Sequence, residues 1–393
     1  MKSLKLSPGK FPKKVILPAS KSYANRALII AAQSDSPFTV HDLPDSTDVT
    51  FLVAAFEQIG IRVTRTATSV TLLGPFPKCE KQSAPIKIGE GGTTARFLAA
   101  LLLRGTVRHT LVLGDRLRAR PWQEFIDLVN THGGRAELIG DELSLQGPVT
   151  FPPVLEVDCR RTTQFASGIQ LAFPEISVVP KQLESSESYW KMTSELQKTM
   201  QNSSSYRVPL DWSSASYPLA FGALNHEIFF PDLQPDAHQA DGKFFDLLSR
   251  LNLVTKSPEG ISVFSKLIHQ DIEMDVSDAL DLVPALSFFL AHIPGSHRLH
   301  GISNLVHKES DRLAEVIKLL RTFDRSASSE SGSLSIQGHS IRRDTPVDLT
   351  FPDDHRMVMT GALFLRHHAG GTISPVSAVS KSYPRFFELL DLL

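Results

Sequence analysis

A polar cluster followed at once by a run of small and apolar residues recurs six times along the chain. The clusters begin at Lys21-Ser22-Tyr23-Ala24-Asn25-Arg26, Gly91-Gly92-Thr93-Thr94-Ala95-Arg96, Thr162-Thr163-Gln164, Ser213-Ser214-Ala215-Ser216, Asp278-Ala279-Leu280-Asp281 and Asp354-His355-Arg356. Runs such as Ala27-Leu28-Ile29-Ile30-Ala31-Ala32 and Phe97-Leu98-Ala99-Ala100-Leu101-Leu102-Leu103 have the composition of buried helices. Each cluster then occupies a helix N-terminus, where unpaired N–H groups and the positive end of the dipole favour anions, and Ser, Thr and Asp act as caps. Several of the six also carry Lys or Arg. The pattern predicts a protein that grips phosphate and carboxylate groups.

Between the clusters lie β-branched segments, Arg62-Val63-Thr64, Ser69-Val70-Thr71-Leu72-Leu73 and Thr110-Leu111-Val112-Leu113, bounded by Gly and Pro and read as strands. Further helices are predicted over Asp48 to Ile59, Pro121 to Thr131, Tyr189 to Met200 and Lys308 to Arg321. Strands and helices in near alternation give an α/β or α+β class. Cluster spacings of roughly fifty to seventy-five residues leave room for one small mixed module each. Ser185 to Ser188 and Gln201 to Ser205 read as exposed loops, and Ser326 to Ser333 as a flexible surface turn.

At 393 residues the chain exceeds one ordinary core, so two domains of three modules each are expected, dividing near Asp211. A formal net charge of -1 gives no reason to expect nucleic acid or membrane as a partner, so anion binding has to come from local clustering. Cys79 and Cys159 alone cannot make a disulfide framework or a four-cysteine zinc site, which favours a reducing compartment. No apolar run suits a secretory signal or a bilayer span. The expectation is a cytoplasmic protein without a visible transit segment.

Seven segments carry a family resemblance: Lys21-Ser22-Tyr23-Ala24-Asn25-Arg26, Gly92-Thr93-Thr94-Ala95-Arg96, Arg118-Ala119-Arg120-Pro121, Thr163-Gln164-Phe165, Asp211 to Tyr217, Lys308-Glu309-Ser310-Asp311-Arg312-Leu313 and Asp354-His355-Arg356-Met357. In order and approximate spacing the chain resembles 5-enolpyruvylshikimate-3-phosphate (EPSP) synthases over nearly its whole length. That resemblance implies a two-domain inside-out α/β barrel. Each domain would hold three βαβαββ repeats, with the active site in the interdomain cleft. The implied domains are 1–18 plus 212–393, holding the N-terminal strand, and an inserted 19–211. The implied reaction moves the enolpyruvyl group of phosphoenolpyruvate to the 5-hydroxyl of shikimate 3-phosphate and releases phosphate. No cofactor or metal is implied, and the expected form is a monomer.

By motif position, Lys21, Gly92, Arg116, Gln164, Arg312, Arg356 and Lys381 resemble the residues that hold phosphoenolpyruvate. Ser22, Arg26, Thr162, Thr163, Ser186, Asn304 and Lys308 match shikimate 3-phosphate positions, joined by Lys21, Gln164 and Asp281, with Tyr189 beside the ring. Two anionic substrates need fixed cations to cancel their repulsion, and Arg offers a planar fork where Lys offers a compact charge. Addition and elimination move protons, which calls for placed acids and bases. Asp281 resembles the group taking the hydroxyl proton, Glu309 the group exchanging a proton with the methylene, and Lys21 an aid to the departing phosphate. If Lys308 to Leu313 is helical, one turn presents Lys308, Glu309 and Arg312 together.

Alone, Lys308 to Arg312 would more often be a solvated helix face, and Asp354-His355-Arg356 a cap with a charged first turn; their co-occurrence carries the argument. Several positions depart from the family pattern. Glu90 stands where Asn is common, and a carboxylate beside an anion site needs a cation, with Arg96 or Arg120 the expected partner. Thr162-Thr163 replaces Ser-Ser, and Phe97 and Trp122 replace smaller residues. The alternative enzyme is the related UDP-N-acetylglucosamine enolpyruvyl transferase, which usually carries Cys near the position of Asp115 and Lys-Asn in place of Lys21-Ser22. A non-catalytic binding protein with this fold is the alternative of another class.

Overall fold

Five of the six polar-to-apolar junctions open a helix at the predicted place in the computed structural model, which describes residues 2–183 and 185–390. These helices are Lys21–Ala31, Gly92–Leu102, Gln164–Ala172, Trp212–Asn225 and His355–His367. The sixth is displaced. Asp278 to Asp281 forms a turn and the helix runs over Val283–Ala291, with Pro284 in its first turn. Proline lacks an N–H and fits only at a helix start, so it sets the boundary four residues late.

Two further expectations are corrected. Lys308 to Asp311 is not helical: Lys308 ends a 3-10 turn over Ser303–His307, and the helix spans Arg312–Thr322 because the Asp311 carboxylate accepts from Ala314 N at 3.0 Å and caps it. Ser326–Glu330 is a strand rather than a flexible turn, paired antiparallel with Ser333–Gly338; only Ser331 and Gly332, both at positive φ, make the reversal. The other predicted helices lie at Thr47–Ile59, Gln123–Thr131 and Glu187–Met200.

The chain divides into two units, Met1–Pro18 with Leu210–Leu393, and Ala19–Pro209. Met1, Glu184 and residues 391–393, which the expected domain ranges include, lie outside the described residues. Leu210 and Asp211, expected in the inserted part, go with the discontinuous unit. Asp211 N donates to Pro18 O at 2.9 Å, and its carboxylate caps the helix that follows. Each unit has its own core, with Phe56, Phe97 and Phe125 in the inserted unit and Trp212, Phe221, Phe288 and Phe364 in the discontinuous one.

A βαβαββ module appears in full twice. Ile86–Gly89, the Gly92 helix, His109–Leu113, Gln123–Thr131, Arg135–Ile139 and Glu142–Gln146 form one copy. Ile272–Asp275, the Val283 helix, Gly295–His300, the Arg312 helix, Ser326–Glu330 and Ser333–Gly338 form the other. In both sheets the first strand pairs parallel with the second, the second antiparallel with the fourth, and the fourth antiparallel with the third.

Elsewhere the same frame is completed by distant chain. Ser205–Arg207, at the end of the inserted unit, pairs parallel with Phe38–His41 and fills the first-strand place there. In the discontinuous unit Lys14 bridges in parallel with Phe229, while Leu4–Leu6 pairs antiparallel with Gly371–Ser374. The N-terminal segment thus supplies edges to two sheets built from the far end of the chain. In the third module of the inserted unit, Val154–Asp158 and Ser177–Lys181 pair parallel as a two-stranded sheet.

Candidate active site

In the inserted unit the Lys21, Gly92 and Gln164 helices pack against one another. The residues at the caps of the Lys21 and Gly92 helices, Ser20 and Gly91, make no side-chain cap hydrogen bond. Lys21 Nζ lies 2.9 Å from Asp48 Oδ2, a carboxylate only 5% exposed. Asp48 is wedged against Gly91, where a Cβ would come within 2.7 Å of the carboxylate, so glycine is what leaves the lysine its partner. Asn25 Nδ2 donates to Thr93 Oγ1 at 3.0 Å and Thr94 Oγ1 at 3.2 Å, tying the two helix starts together.

Gly92 admits an equally close approach. A Cβ there would meet Arg120 Nη1 at 2.7 Å and Gln164 Oε1 at 2.9 Å. Gln164 Oε1 accepts from Arg96 Nη1 at 2.7 Å, and Arg96 Nη2 donates to Pro121 O at 3.1 Å. The Arg96 guanidinium lies over the rings of Trp122 and Phe165, at 5.4 and 4.7 Å. Burial first, and the neighbouring Arg120 charge second, push Arg96 down to about 9.

Arg26 is fully buried. It donates to Thr193 Oγ1, Ser22 O and Tyr189 O at 2.8, 3.0 and 2.9 Å and stacks on Phe97 and Tyr189. Burial pushes it down to about 10. Arg26 therefore supports the Ser22 and Tyr189 backbones from beneath. The bulky Phe97 and Trp122, which depart from the family pattern, are the rings on which these two arginines rest.

Thr162 Oγ1 accepts from Gln164 N at 3.2 Å, and Thr163 is buried in the cap position of the same helix. Ser186 precedes the Glu187–Met200 helix at a left-handed φ of 63°. Arg116 is half-buried in the short Asp115–Arg118 helix. Glu90 does not pair with Arg96 or Arg120 as expected. Its Oε2 accepts from Leu117 N at 2.9 Å, in the first turn of that short helix, where backbone N–H groups stabilise a carboxylate.

In the discontinuous unit one carboxylate is held by three cations. Arg312 Nη1 reaches Asp281 Oδ1 at 2.6 Å, Arg356 Nη2 reaches Oδ2 at 3.0 Å, and Lys308 Nζ lies 3.4 Å from Oδ1. Burial would raise the Asp281 carboxyl, but Arg356, Lys308 and Arg312 outweigh it and hold the group well below the usual range. Arg312 is braced from behind by Asp354, with Nε to Oδ2 at 2.8 Å and Nη2 to Oδ1 at 3.3 Å. Asp354 also accepts from Ser310 Oγ at 2.9 Å and Arg356 N at 3.0 Å, so it caps the His355 helix and fixes both arginines at once.

Glu309 Oε2 lies 3.0 Å from His355 Nδ1 and 3.6 Å from Lys381 Nζ; Lys381 also contacts the Asp353 carboxylate at 2.9 Å. Burial opposes ionisation of Glu309, yet His355, then Lys381 and Arg312, keep it well below the ordinary carboxylate range. Asn304 is half-buried in the 3-10 turn before Lys308. Below the cluster Asp241 accepts from Ser213 Oγ; its burial, with Asp281 and Asp211 adding to it against the pull of Arg356 and Ser213, pushes it up to about 6.

Glu309, Asp354 and His355 each bring one potential metal-ligand atom within 4.8 Å of the others. Arg312 and Lys381 already occupy that corner as its counter-cations, and a divalent ion would sit against both charges. The donor set suits the protein's own cations better.

The predicted residues thus fall into two sets. Lys21, Ser22, Arg26, Gly92, Arg116, Thr162, Thr163, Gln164 and Ser186 belong to the inserted unit. Asp281, Asn304, Lys308, Glu309, Arg312, Arg356 and Lys381 belong to the discontinuous one. The sequence reading missed Asp48 and Asp241 and gave Asp354 no role beyond its motif. Asp354 had a signal, an Asp immediately before His-Arg at a helix start. Asp48 looks in the sequence like any acidic residue in a first helical turn.

A family profile described as EPSP synthase (3-phosphoshikimate 1-carboxyvinyltransferase) matches residues 7–173 and 180–390. The chain belongs to the EPSP synthase family. Among its relatives, a 3-phosphoshikimate 1-carboxyvinyltransferase of Syntrophobacter fumaroxidans is 28% identical over 96% of each chain. One of Pyrococcus abyssi is 29% identical over 96% of this chain and 94% of its own. The fold is that of a solved EPSP synthase from Acinetobacter baumannii, at a TM-score of 0.79, 19% identity and coverage of 100% and 98%. The enolpyruvyl transferase NikO from Streptomyces tendae shares it at 0.75 and 14% identity, over 99% and 97%.

Proposed function

We propose that this EPSP synthase family member transfers the enolpyruvyl group of phosphoenolpyruvate to the 5-hydroxyl of shikimate 3-phosphate, releasing phosphate. The observation that carries the reading is the Asp281 carboxylate gripped by Arg312, Arg356 and Lys308. Three cations around one anion form a receptor for anionic groups whose place is held by a side chain until substrate arrives.

A carboxylate so held is a weak base. When the substrates' own carboxylate and phosphate oxygens take over the guanidinium and ammonium groups, Asp281 loses its counter-charges and gains basicity. It then accepts the acceptor hydroxyl proton as the oxygen bonds to the substituted enol carbon. Glu309, oriented by His355 and Lys381, takes up a proton once the substrate anions draw its counter-cations away, gives it to the adjacent methylene in the addition and takes one back in the elimination. Departure of phosphate and loss of one methyl proton restore the double bond. Lys21, steered by Asp48, together with Arg116 and the Gly92 helix start in the inserted unit, supplies positive charge for the leaving phosphate, with Gln164 a neutral hydrogen-bond donor beside them.

Ser22, Thr162, Thr163, Ser186 and Asn304 offer donors for ring hydroxyls and phosphate without added charge, and Tyr189 an apolar face. No helix among the described residues is long and apolar enough to cross a membrane. Cys79 and Cys159 are free thiols, in keeping with work in a reducing cytoplasm, and the chain acts as a monomer in this reading.

The test is phosphate release from phosphoenolpyruvate with shikimate 3-phosphate and, in parallel, with UDP-N-acetylglucosamine. Turnover with the first acceptor alone is expected. Turnover with the second alone, or binding of both substrates without phosphate release, would overturn the proposal.

A further inference from the structure

At the opposite end of the His355–His367 helix from Arg356, the discontinuous unit has a second basic cavity that the reaction does not use. It encloses ≈ 510 Å³ between the N-terminal segment at Pro8–Lys10, the end of the Trp212 helix, the 342–344 loop and residues 366–369. Eleven residues of helix separate Arg356 from His367, a rise of about 16 Å. The cavity is therefore distinct from the Asp281 cluster.

Lys10, Arg342, Arg343 and Arg366 line it, against one lining carboxylate, Asp344. Asp324 stands behind Arg343 at 3.2 Å. Arg342 and His367 also line an adjoining cavity of ≈ 260 Å³ that adds Lys266 and His292. In a chain of net charge -1, this concentration of one sign is a local feature.

The walls are built rather than loose. Arg366 donates to Ser7 O at 2.9 Å and Lys10 O at 3.0 Å, which pins the N-terminal segment across the helix end. Gly9 is required for that contact, since a Cβ would lie 2.3 Å from the guanidinium. Arg342 Nη2 donates to Asn225 Oδ1 at 3.2 Å, and the same oxygen meets His367 Nδ1 at 3.0 Å. His367 is almost wholly buried, and its Nε2 makes no hydrogen bond among the described residues.

Beneath the floor, Arg325 is buried and gives its donors to the Ala291, Phe323 and Ile341 carbonyls and to His339, none of them a carboxylate. The positive field is felt by its neighbours. Burial first, then the charge of Arg342, push His367 down to about 2; burial, then Arg325 and Arg342, push His368 down to about 3. The single N–H of neutral His367 is spent on Asn225 Oδ1, so any anion must be held by the cations, with the imidazole as its neighbour.

We infer that this cavity is a second anion site, which takes the phosphoryl group of a small metabolite between Arg342 and Lys10, beside His367. A phosphoryl group presents several oxygens and up to two charges to forked and point-like donors. The volume is that of a small-molecule pocket. An anion there would neutralise charge that the protein leaves uncompensated.

The probes are inorganic phosphate and ribose 5-phosphate, each titrated into the full chain while the imidazole NMR signals of His367 and His355 are followed, with sodium chloride as the ionic-strength control. Saturable movement of His367 is expected with phosphate compounds and not with chloride. A variant carrying both Lys10→Gln and Arg342→Gln should weaken it by about tenfold or more, which is 1.4 kcal/mol or more, and leave the His355 response intact. Tighter binding of ribose 5-phosphate identifies a phosphorylated metabolite as the occupant; equal binding identifies free phosphate. His367 signals that stay in place, or that move equally in the double variant, would overturn the inference. The readout does not depend on turnover, so it stands or falls apart from the proposed reaction.

Discussion

The two clusters solve the problem of storing positive charge in opposite ways. In the Asp281 cluster Arg312, Arg356, Lys308 and Lys381 each have a carboxylate among Asp281, Asp354, Glu309 and Asp353, and Arg312 is raised above its ordinary range because Asp354 and Asp281 outweigh its burial. In the inserted unit Arg26 and Arg96 rest on carbonyls, hydroxyls, an amide and aromatic rings, and both are depressed by burial. The helix ends differ in the same sense. Asp211, Asp311 and Asp354 cap their own helices, whereas the Lys21 and Gly92 helices begin with no side-chain cap. The Asp281 cluster must exchange an internal anion for an external one, whereas Arg26 and Arg96 keep their charge against neutral partners.

The sharpest break between these designs is Asp281→Asn. Turnover should fall by roughly 10²–10⁴, as for loss of a general base, while phosphoenolpyruvate binds more tightly because its receptor is vacated. A rise in KM of the same size as the fall in kcat would show that Asp281 is simply a brace. Next, Asp354→Ala leaves buried Arg312 with one partner fewer. Urea unfolding should show a loss of about 3–5 kcal/mol, the usual result of removing half of a buried pair, together with weaker phosphoenolpyruvate binding.

The counterpart in the inserted unit is Arg96→Lys, which keeps the charge and loses the planar stack on Trp122 and Phe165. With no carboxylate to lose, unfolding should move by about 2 kcal/mol, in the range of desolvated cation–π contacts. kcat/KM should drop by about tenfold through a misplaced Gln164, and a loss of stability equal to that of Asp354→Ala would erase the distinction drawn here.

Asp241 gives the smallest and most specific effect. Its carboxyl is raised to about 6 in the folded protein, so the folded state holds the proton more tightly than the unfolded one. Its stabilising contribution is present below the unfolded value of 3.8 and is lost as pH rises through about 6. Asp241→Asn removes that titration. Relative to the unmodified chain, its melting temperature should improve between pH 5 and pH 8, by an amount worth about 1.4 kcal/mol, the one unit of titration between pH 5 and about 6. A pH-independent difference between the two proteins would refute the assignment.

Much of this architecture was legible from composition and punctuation. Apolar runs behind polar clusters located five helix starts, because burial demands the run and the anion-binding end demands the cluster. Where local chemistry competed, the reading slipped. Pro284 moved one start, and Asp311 capped a helix that the Lys-Glu-Ser-Asp-Arg spacing suggested would begin at Lys308. The serine-rich strand Ser326–Glu330 looked like a loop because its pairing with Ser333–Gly338 is a tertiary fact. Candidate site residues were legible through motifs. Their supports were not: Asp48 and Asp241 act on Lys21 and Ser213 from positions 27 and 28 residues away, which no local pattern encodes.

Leu4–Leu6 and Lys14 find their partner strands in Gly371–Ser374 and at Phe229. During synthesis, at about 5–20 residues per second, these residues emerge long before the strands they need. The intervening 19–209 segment can complete its own sheets and core while the ribosome is still at work. The discontinuous unit cannot close until Gly371–Ser374 has been made, and until then Leu4–Leu6 waits as an edge without its partner strand.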